Sequence, residues 1–269
     1  MNKTEMRNEA SRNIHKMDTV SMLQLINEEN KNSVLAIESA IPNIAKAVDV
    51  AANSIQNGGR LFYIGAGTSG RLGVMDAAEC PPTYGVPNDQ VIGIIAGGDG
   101  CLRRAAEAQE DDPLGGIKDL QAYNLCSKDV VIGISASGSA AYVIGALNYA
   151  NQVGAYTISL CSNFDSPMGA AAMLSIVTDT GAEVITGSTR MKSGNAQKMV
   201  LNMISTAAMV KTGKVYENLM INLKPSNQKL RGRMIRIVQE IMECSEKEAT
   251  SLLEQNQWRI QQIVSNINV

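Results

Sequence analysis

Two glycine- and hydroxyl-rich turns and two carboxylates are the residues of this chain whose types and spacing could do chemistry. The first turn, Gly65-Ala66-Gly67-Thr68-Ser69-Gly70, follows a short apolar run and matches GxGxxG. Alone, that pattern is a weak dinucleotide signal, because a ribose-binding acid is expected roughly 20 residues on, near the end of the next strand. In that stretch the acid is Asp99, late and behind two glycines. Thr68 and Ser69 at a helix start suit a terminal phosphate better. Free backbone N–H groups, the helix dipole and two hydroxyls would converge on one anion. The plainer alternative is a tight turn without a ligand.

A second turn, Ser135-Ala136-Ser137-Gly138-Ser139, follows another apolar run. Two such turns at the carboxyl ends of neighbouring parallel strands define a crevice. It would grip a phosphorylated small polyol through Gly67, Thr68, Ser69, Ser135, Ser137, Gly138 and Ser139. The carboxylates are Glu79, just before Pro81-Pro82, and Glu110, in the acidic run from Glu107 to Asp112. Glu79 would sit near the exit of the helix that starts at the first turn. An acid there opposes the helix dipole, which suggests a task, although a solvated helix-end acid is the simpler reading. In the acidic run, spacing alone leaves open which of the four acids points inward.

Composition narrows the chemistry. The chain has 269 residues, with 24 basic and 26 acidic side chains and a net charge of −2. That balance gives no support to a nucleic-acid or anionic-membrane surface, both of which need clustered basic charge. The single histidine, His15, lies in a polar stretch and is expected at the surface. A histidine-based metal cluster or a Ser-His-Asp triad is therefore not expected. The five cysteines (Cys80, Cys101, Cys126, Cys161, Cys244) are scattered and form no CxxC, so reduced thiols fit better than zinc or disulfides. With no signal-like segment and no apolar run near ~18 residues, the expectation is a soluble cytoplasmic protein without metal.

The elements that must position these residues follow from periodicity. Polar residues 1–30 carry a weak helical signal around Thr19 to Asn27. From Val34 to Ile55 apolar residues recur at helical spacing; Pro42 should kink or split that helix, and Asn57-Gly58-Gly59 should end it. Short apolar runs follow at Leu61–Ile64, Val91–Ile95, Val130–Ile134, Ala155–Leu160 and, more weakly, Leu174–Val177. Helical stretches such as Leu102 to Gln109 and Ala141 to Asn151 separate them. Buried strands alternating with helices predict a three-layer α/β sandwich around about five parallel strands. Met191 to Val210 reads as a buried helix. Residues from about Asn227 read as helical, amphipathic and more polar, and 244–269 as a small helical appendage with Ser245 and Glu248 as a capping box.

Several segments together resemble the N-acetylmuramic acid 6-phosphate etherases, enzymes of the sugar-isomerase (SIS) domain class. They are YIGAGTSGRLGVMDAAECPPTYGV, IIAGG followed by EAQEDD, KDVVIGISASG, GAEVITGSTRMKSGNAQKMVLNMIST and GKVYENLMINLKPSNQKL. The resemblance covers roughly residues 5 to 245. It implies an SIS-type sheet in residues 57–225, N-terminal helices in 1–56 packing on the core or a partner subunit, and a C-terminal helical region in 226–269. It also implies a homodimer without a cofactor. The implied reaction is cleavage of the lactyl ether of N-acetylmuramic acid 6-phosphate, giving N-acetylglucosamine 6-phosphate and D-lactate during peptidoglycan recycling. Carried over by motif, Glu110 would remove the C2 proton of the ring-opened sugar, and Glu79 would protonate the departing lactate oxygen. Two carboxyls in unlike environments can take and give a proton near neutral pH, so this chemistry needs no histidine.

Three positions depart from the family pattern. Ser139-Ala140-Ala141 stands where a basic residue, Thr and Pro are usual. Asn195 stands where Thr is usual, and the family typically continues beyond the position of Val269. The altered turn favours an alternative, a sugar-phosphate-sensing SIS regulator without turnover, whereas the retained Glu79 and Glu110 favour the enzyme. A sugar-phosphate isomerase would leave the ECPP segment unexplained.

Overall fold

The computed structural model describes residues 2–104 and 109–265. Five strands, β1 (Leu61–Gly65), β2 (Val91–Ile95), β3 (Val130–Ile134), β4 (Tyr156–Cys161) and β5 (Leu174–Val177), form one parallel sheet in the order β2-β1-β3-β4-β5. Each predicted apolar run is a strand. Because alternate strand residues face opposite ways, Leu61 and Tyr63 enter one core while Phe62 and Ile64 enter the other. The first core is closed by α2 (Ile41–Gln56), α3 (Gly67–Tyr84) and α8 (Lys192–Lys211). The second is closed by α5 (Pro113–Ala122), α6 (Ala141–Val153) and the short α7 (Pro167–Ala171). This is the expected three-layer sandwich.

The N-terminal helix is longer than its weak signal suggested. Helix α1 runs Thr19–Glu38, started by the Asp18 carboxylate, which accepts the Val20 and Ser21 N–H groups at 2.9 and 3.1 Å. Pro42 does split the helical stretch: α2 begins at Ile41 with the proline in its first turn, where its missing N–H costs nothing. Pro81-Pro82, by contrast, does not end α3, which continues to Tyr84 and stops at left-handed Gly85. The prolines fall in the last turn and cost α3 only two ladder bonds. Of the helix expected over Leu102 to Gln109, the described part is α4 (Gly100–Arg103); 105–108 lie outside the described residues.

After α8 a small hairpin, β6 (Val215–Tyr216) and β7 (Leu219–Met220), leads to α9 (Gln228–Met242), α10 (Glu246–Gln255) and α11 (Ile260–Ser265). These helices share their own apolar core, with Ile221, Leu223, Met234, Val238, Leu253 and Ile260 at its centre. Helix α10 opens with the predicted box: the Glu248 N–H donates to Ser245 Oγ, and the Ser245 N–H donates to the Glu248 carboxylate.

Candidate functional site

The strand order places a topological switch point between β1 and β3. In open parallel sheets this is where ligands bind, outside the carboxyl ends of the strands. The two predicted turns leave the sheet there. Between them lies a cleft of about 300 Å³ lined by Ala66, Gly67, Thr68, Ser69, Glu110, Ser135, Ala136, Ser137 and Ala140, together with Glu5, Gly187 and Thr189.

The first turn is tight because α3 packs almost directly on the sheet. A Cβ added at Gly70 would lie 2.5 Å from the Gly65 carbonyl oxygen, and one at Gly73 would lie 2.9 Å from Tyr63 Cβ. The first intrahelical bond of α3 is Gly70 N–H to the Ala66 carbonyl at 3.2 Å. The N–H groups of Gly67, Thr68 and Ser69 precede it and have no helical acceptor. Their positive end of the helix dipole faces the cleft. The Ser69 hydroxyl donates to Gln197 Oε1 of α8 at 2.9 Å. Ser69 thus fastens α3 to α8, while Thr68 is half-buried at the cleft wall.

In the second turn the serines form a relay. Ser135 Oγ lies 3.3 Å from Ser137 Oγ, which lies 2.9 Å from Ser139 Oγ. The Gly138 N–H donates to Ser135 and the Ser139 N–H to Ser137, both at 3.2 Å. Gly138 has φ +74°, and a Cβ there would meet Ser166 Cβ at 2.5 Å. Gly138 and Ser139 shape the turn from behind, and neither lines the cleft. Helix α6 follows with Ala140 at its N-cap, where no side chain caps the helix.

The structure separates the acids of the 107–112 run. Glu107 lies outside the described residues. Asp111 is exposed, and Asp112 caps α5 by accepting the Leu114 N–H at 2.9 Å. Glu110 is half-buried and lines the cleft. Burial, and then the like charge of Asp111, pushes its carboxyl above the ordinary glutamate range. A carboxylate whose pKa is raised in this way is a better proton acceptor than an ordinary glutamate. Glu79 is not brought to the same cleft within one chain. It is exposed on α3, about 17 Å along the axis from Thr68 at about 1.5 Å per residue.

Behind Glu79, the buried Asp76 accepts hydrogen bonds from Asn202 Nδ2 at 2.5 Å and Ser205 Oγ at 3.3 Å, tying α3 to α8. Asp99 is exposed and does not line the cleft, so it serves no ribose there. Exposed His15 lies apart from it as well. Among the described residues, no Lys or Arg lines the cleft and no group of His, Cys, Asp and Glu is arranged to hold a metal. An anion placed in this cleft would therefore meet backbone N–H groups and hydroxyls rather than cationic side chains.

Sequence reasoning missed Glu5, Gly187 and Thr189. Gly187-Ser188-Thr189 has the same glycine-hydroxyl composition as the two turns, but it follows no strand, so nothing local marked it. Its loop is held by Glu183, fully buried, whose carboxylate accepts the Lys192 and Ser193 N–H groups at 3.1 and 2.9 Å at the start of α8.

The class is that of SIS-domain proteins. The chain matches the glucokinase regulatory protein N-terminal SIS domain over residues 43–151 and the SIS domain over residues 112–207. Residues 217–269 match the C-terminal lid domain of glucokinase regulatory protein. Two solved structures share the fold at low identity. A protein of E. coli CFT073 superposes with a TM-score of 0.55 at 19% identity, over 75% of this chain and 97% of that one. A phosphoheptose isomerase from Francisella tularensis gives 0.53 at 16% identity, over 74% and 100%.

Whole-chain similarity is more specific. The N-acetylmuramic acid 6-phosphate etherase of Actinobacillus pleuropneumoniae serotype 5b is 53% identical over 250 residues, 93% of this chain and 82% of that protein. N-acetylmuramic acid 6-phosphate etherase 1 of Bacillus licheniformis is 53% identical over 251 residues, 93% and 83% of the respective chains. The chain belongs to the N-acetylmuramic acid 6-phosphate etherase family.

Proposed function

We propose that this chain cleaves the D-lactyl ether of N-acetylmuramic acid 6-phosphate to N-acetylglucosamine 6-phosphate and D-lactate. It would do so as a carbon–oxygen lyase, in the cytoplasm, as a homodimer serving recycling of cell-wall amino sugars. The observation that carries the reading is Glu110, a half-buried carboxylate beside the free N–H groups of α3 and the serine relay of the second turn. A phosphate held at α3 by Gly67, Thr68 and Ser69 anchors the substrate remotely from the reacting carbons. Its binding energy then positions the sugar for a proton transfer.

In the ring-opened sugar, Glu110 takes the C2 proton. The electron pair of that C–H bond passes through the enolate to form the C2–C3 double bond, and the C3–oxygen bond breaks. Glu79 gives its proton to the departing lactate oxygen. Water then adds at C3 of the enal, giving a proton to Glu79, now the base, while Glu110 returns its proton to C2. Because Glu79 is remote from the cleft of its own chain, it would act in the cleft of a partner subunit. The test is incubation with N-acetylmuramic acid 6-phosphate and measurement of free D-lactate. Release is expected; binding of the sugar phosphate without release would instead mean a regulator.

A further inference from the structure

Glu5 is a carboxylate of the cleft that the proposed mechanism leaves unused. It comes from the far N-terminal end of the chain and is itself exposed, and polar bonds made by its neighbours hold the segment at the site. The Lys3 N–H donates to Asn163 Oδ1 at 2.9 Å, and Asn163 Nδ2 donates to Thr4 Oγ1 at 3.2 Å. The same Asn163 amide, 5% exposed, also donates to the Ala136 and Ser137 carbonyls at 3.3 and 3.2 Å. One side chain therefore joins the Glu5 segment to the second serine turn. The Lys3 ammonium pairs with Asp179 at 2.5 Å, and Ser11 Oγ donates to the Val184 carbonyl at 2.7 Å. A Cβ added at Gly187 would lie 3.4 Å from Glu5 Oε2, so the carboxylate rests against the Gly187 loop.

The placement is electrostatically costly for a site that takes a phosphate. Glu5 and Glu110 already line the cleft, and no described Lys or Arg does. A second fixed negative charge weakens a bare anion. It strengthens a ligand that presents hydrogen-bond donors, because a carboxylate is an acceptor only. Among the described residues the Glu5 side chain makes no hydrogen bond of its own, so its lone pairs are free for a ligand. We propose that Glu5 is a substrate-binding residue that accepts hydrogen bonds from the sugar's hydroxyl or acetamido N–H groups. It thereby favours a phosphorylated amino sugar over free phosphate. The inference rests on the etherase reading for the identity of that sugar.

The experiment compares the parent with Glu5→Gln and Glu5→Ala for turnover of N-acetylmuramic acid 6-phosphate, and for competitive inhibition by inorganic phosphate. Loss of a hydrogen bond to a charged group should raise KM in Glu5→Ala by roughly ten- to a hundredfold. Glu5→Gln, which keeps an acceptor, should show a smaller rise. Inorganic phosphate has no sugar donors and should inhibit both variants more tightly than the parent. These opposite signs distinguish recognition from scaffolding, because a structural role would weaken both ligands together. An unchanged KM, or weakened phosphate inhibition alongside a raised KM, overturns the proposal. If the parent releases no D-lactate, the etherase reading fails. The same comparison is then made on dissociation constants of the sugar phosphate and of phosphate by calorimetry, with the same signs deciding.

Discussion

The carbonyl of Glu110 accepts the backbone N–H of Tyr142 at 3.0 Å, and the Tyr142 hydroxyl donates to Asp119 of α5 at 2.5 Å. Tyr142 stands in the first turn of α6, so its N–H is one that the helix itself cannot satisfy. The helix start that follows the second serine turn thus holds the backbone of the candidate base. One backbone hydrogen bond joins the segment of the candidate base to one wall of the cleft. A proton acceptor fixed in this way stays in register with a phosphate-anchored substrate.

Replacing Glu110 with Gln should lower D-lactate release by at least ~100-fold, the low end for general acid–base catalysis. Exchange of the substrate C2 proton with solvent should vanish with it. The same variant should melt at a higher temperature at neutral pH. Burial raises the Glu110 pKa above its ordinary value of 4.5. The carboxyl then contributes stability at low pH that is lost as pH rises through the folded-state pKa. A neutral amide escapes that loss. Thermal melting and isotope exchange check the two halves separately.

The raised Glu110 pKa also sets a pH profile. A base must be deprotonated to act, so the acidic limb of kcat/KM should lie above pH 4.5. Asp111 contributes to the shift as a like charge. Asp111→Asn should therefore move that limb to lower pH. A limb that stays in place in this variant would assign it to another group.

Glu79 and Glu110 should complement each other across subunits. Glu79→Gln should cut lactate release yet retain C2 exchange, because deprotonation does not need the leaving-group acid. Mixing Glu79→Gln and Glu110→Gln chains under conditions that exchange subunits should restore activity. In a symmetric dimer, random pairing leaves about a quarter of the sites with both carboxylates intact. No recovery on mixing, with exchange verified, would place the acid elsewhere.

Ser139 lies behind the cleft but beside Ser137, which lines it. An arginine side chain is long enough to reach in from there, so the double change Ser139→Arg with Ala140→Thr should lower KM for the sugar phosphate, with a smaller effect on kcat, as uniform binding requires. Ala140 is the uncapped N-cap of α6, so its hydroxyl replacement should also stabilise the fold by about 0.5–2 kcal/mol. Steady-state kinetics and chemical denaturation of each single variant separate the contributions.

Gly138→Ala should damage the second turn. At φ +74° any Cβ is strained, and here it would strike Ser166. The expected destabilisation is about 1–3 kcal/mol, with inorganic phosphate inhibition weakened. Denaturant melts and inhibition constants check both.

Local patterns in the sequence determined the strands and their turns. Val130–Ile134 ends in Ser135-Ala136-Ser137-Gly138, and Leu61–Gly65 runs into Gly67-Thr68-Ser69, and both turns stand where the apolar period breaks. Side-chain alternation and glycine geometry are near-neighbour effects, so they are legible along the chain. The tertiary structure decided which parts meet. The order β2-β1-β3 makes the two turns neighbours, and α6 selects Glu110 from an acidic run whose spacing singles out no member. Asn163 brings Glu5 to the cleft from the other end of the molecule. The length of α3 carries Glu79 away from the turn that begins it. Each of these depends on packing between residues far apart in sequence, where shape and long-range hydrogen bonds act and periodicity carries no information.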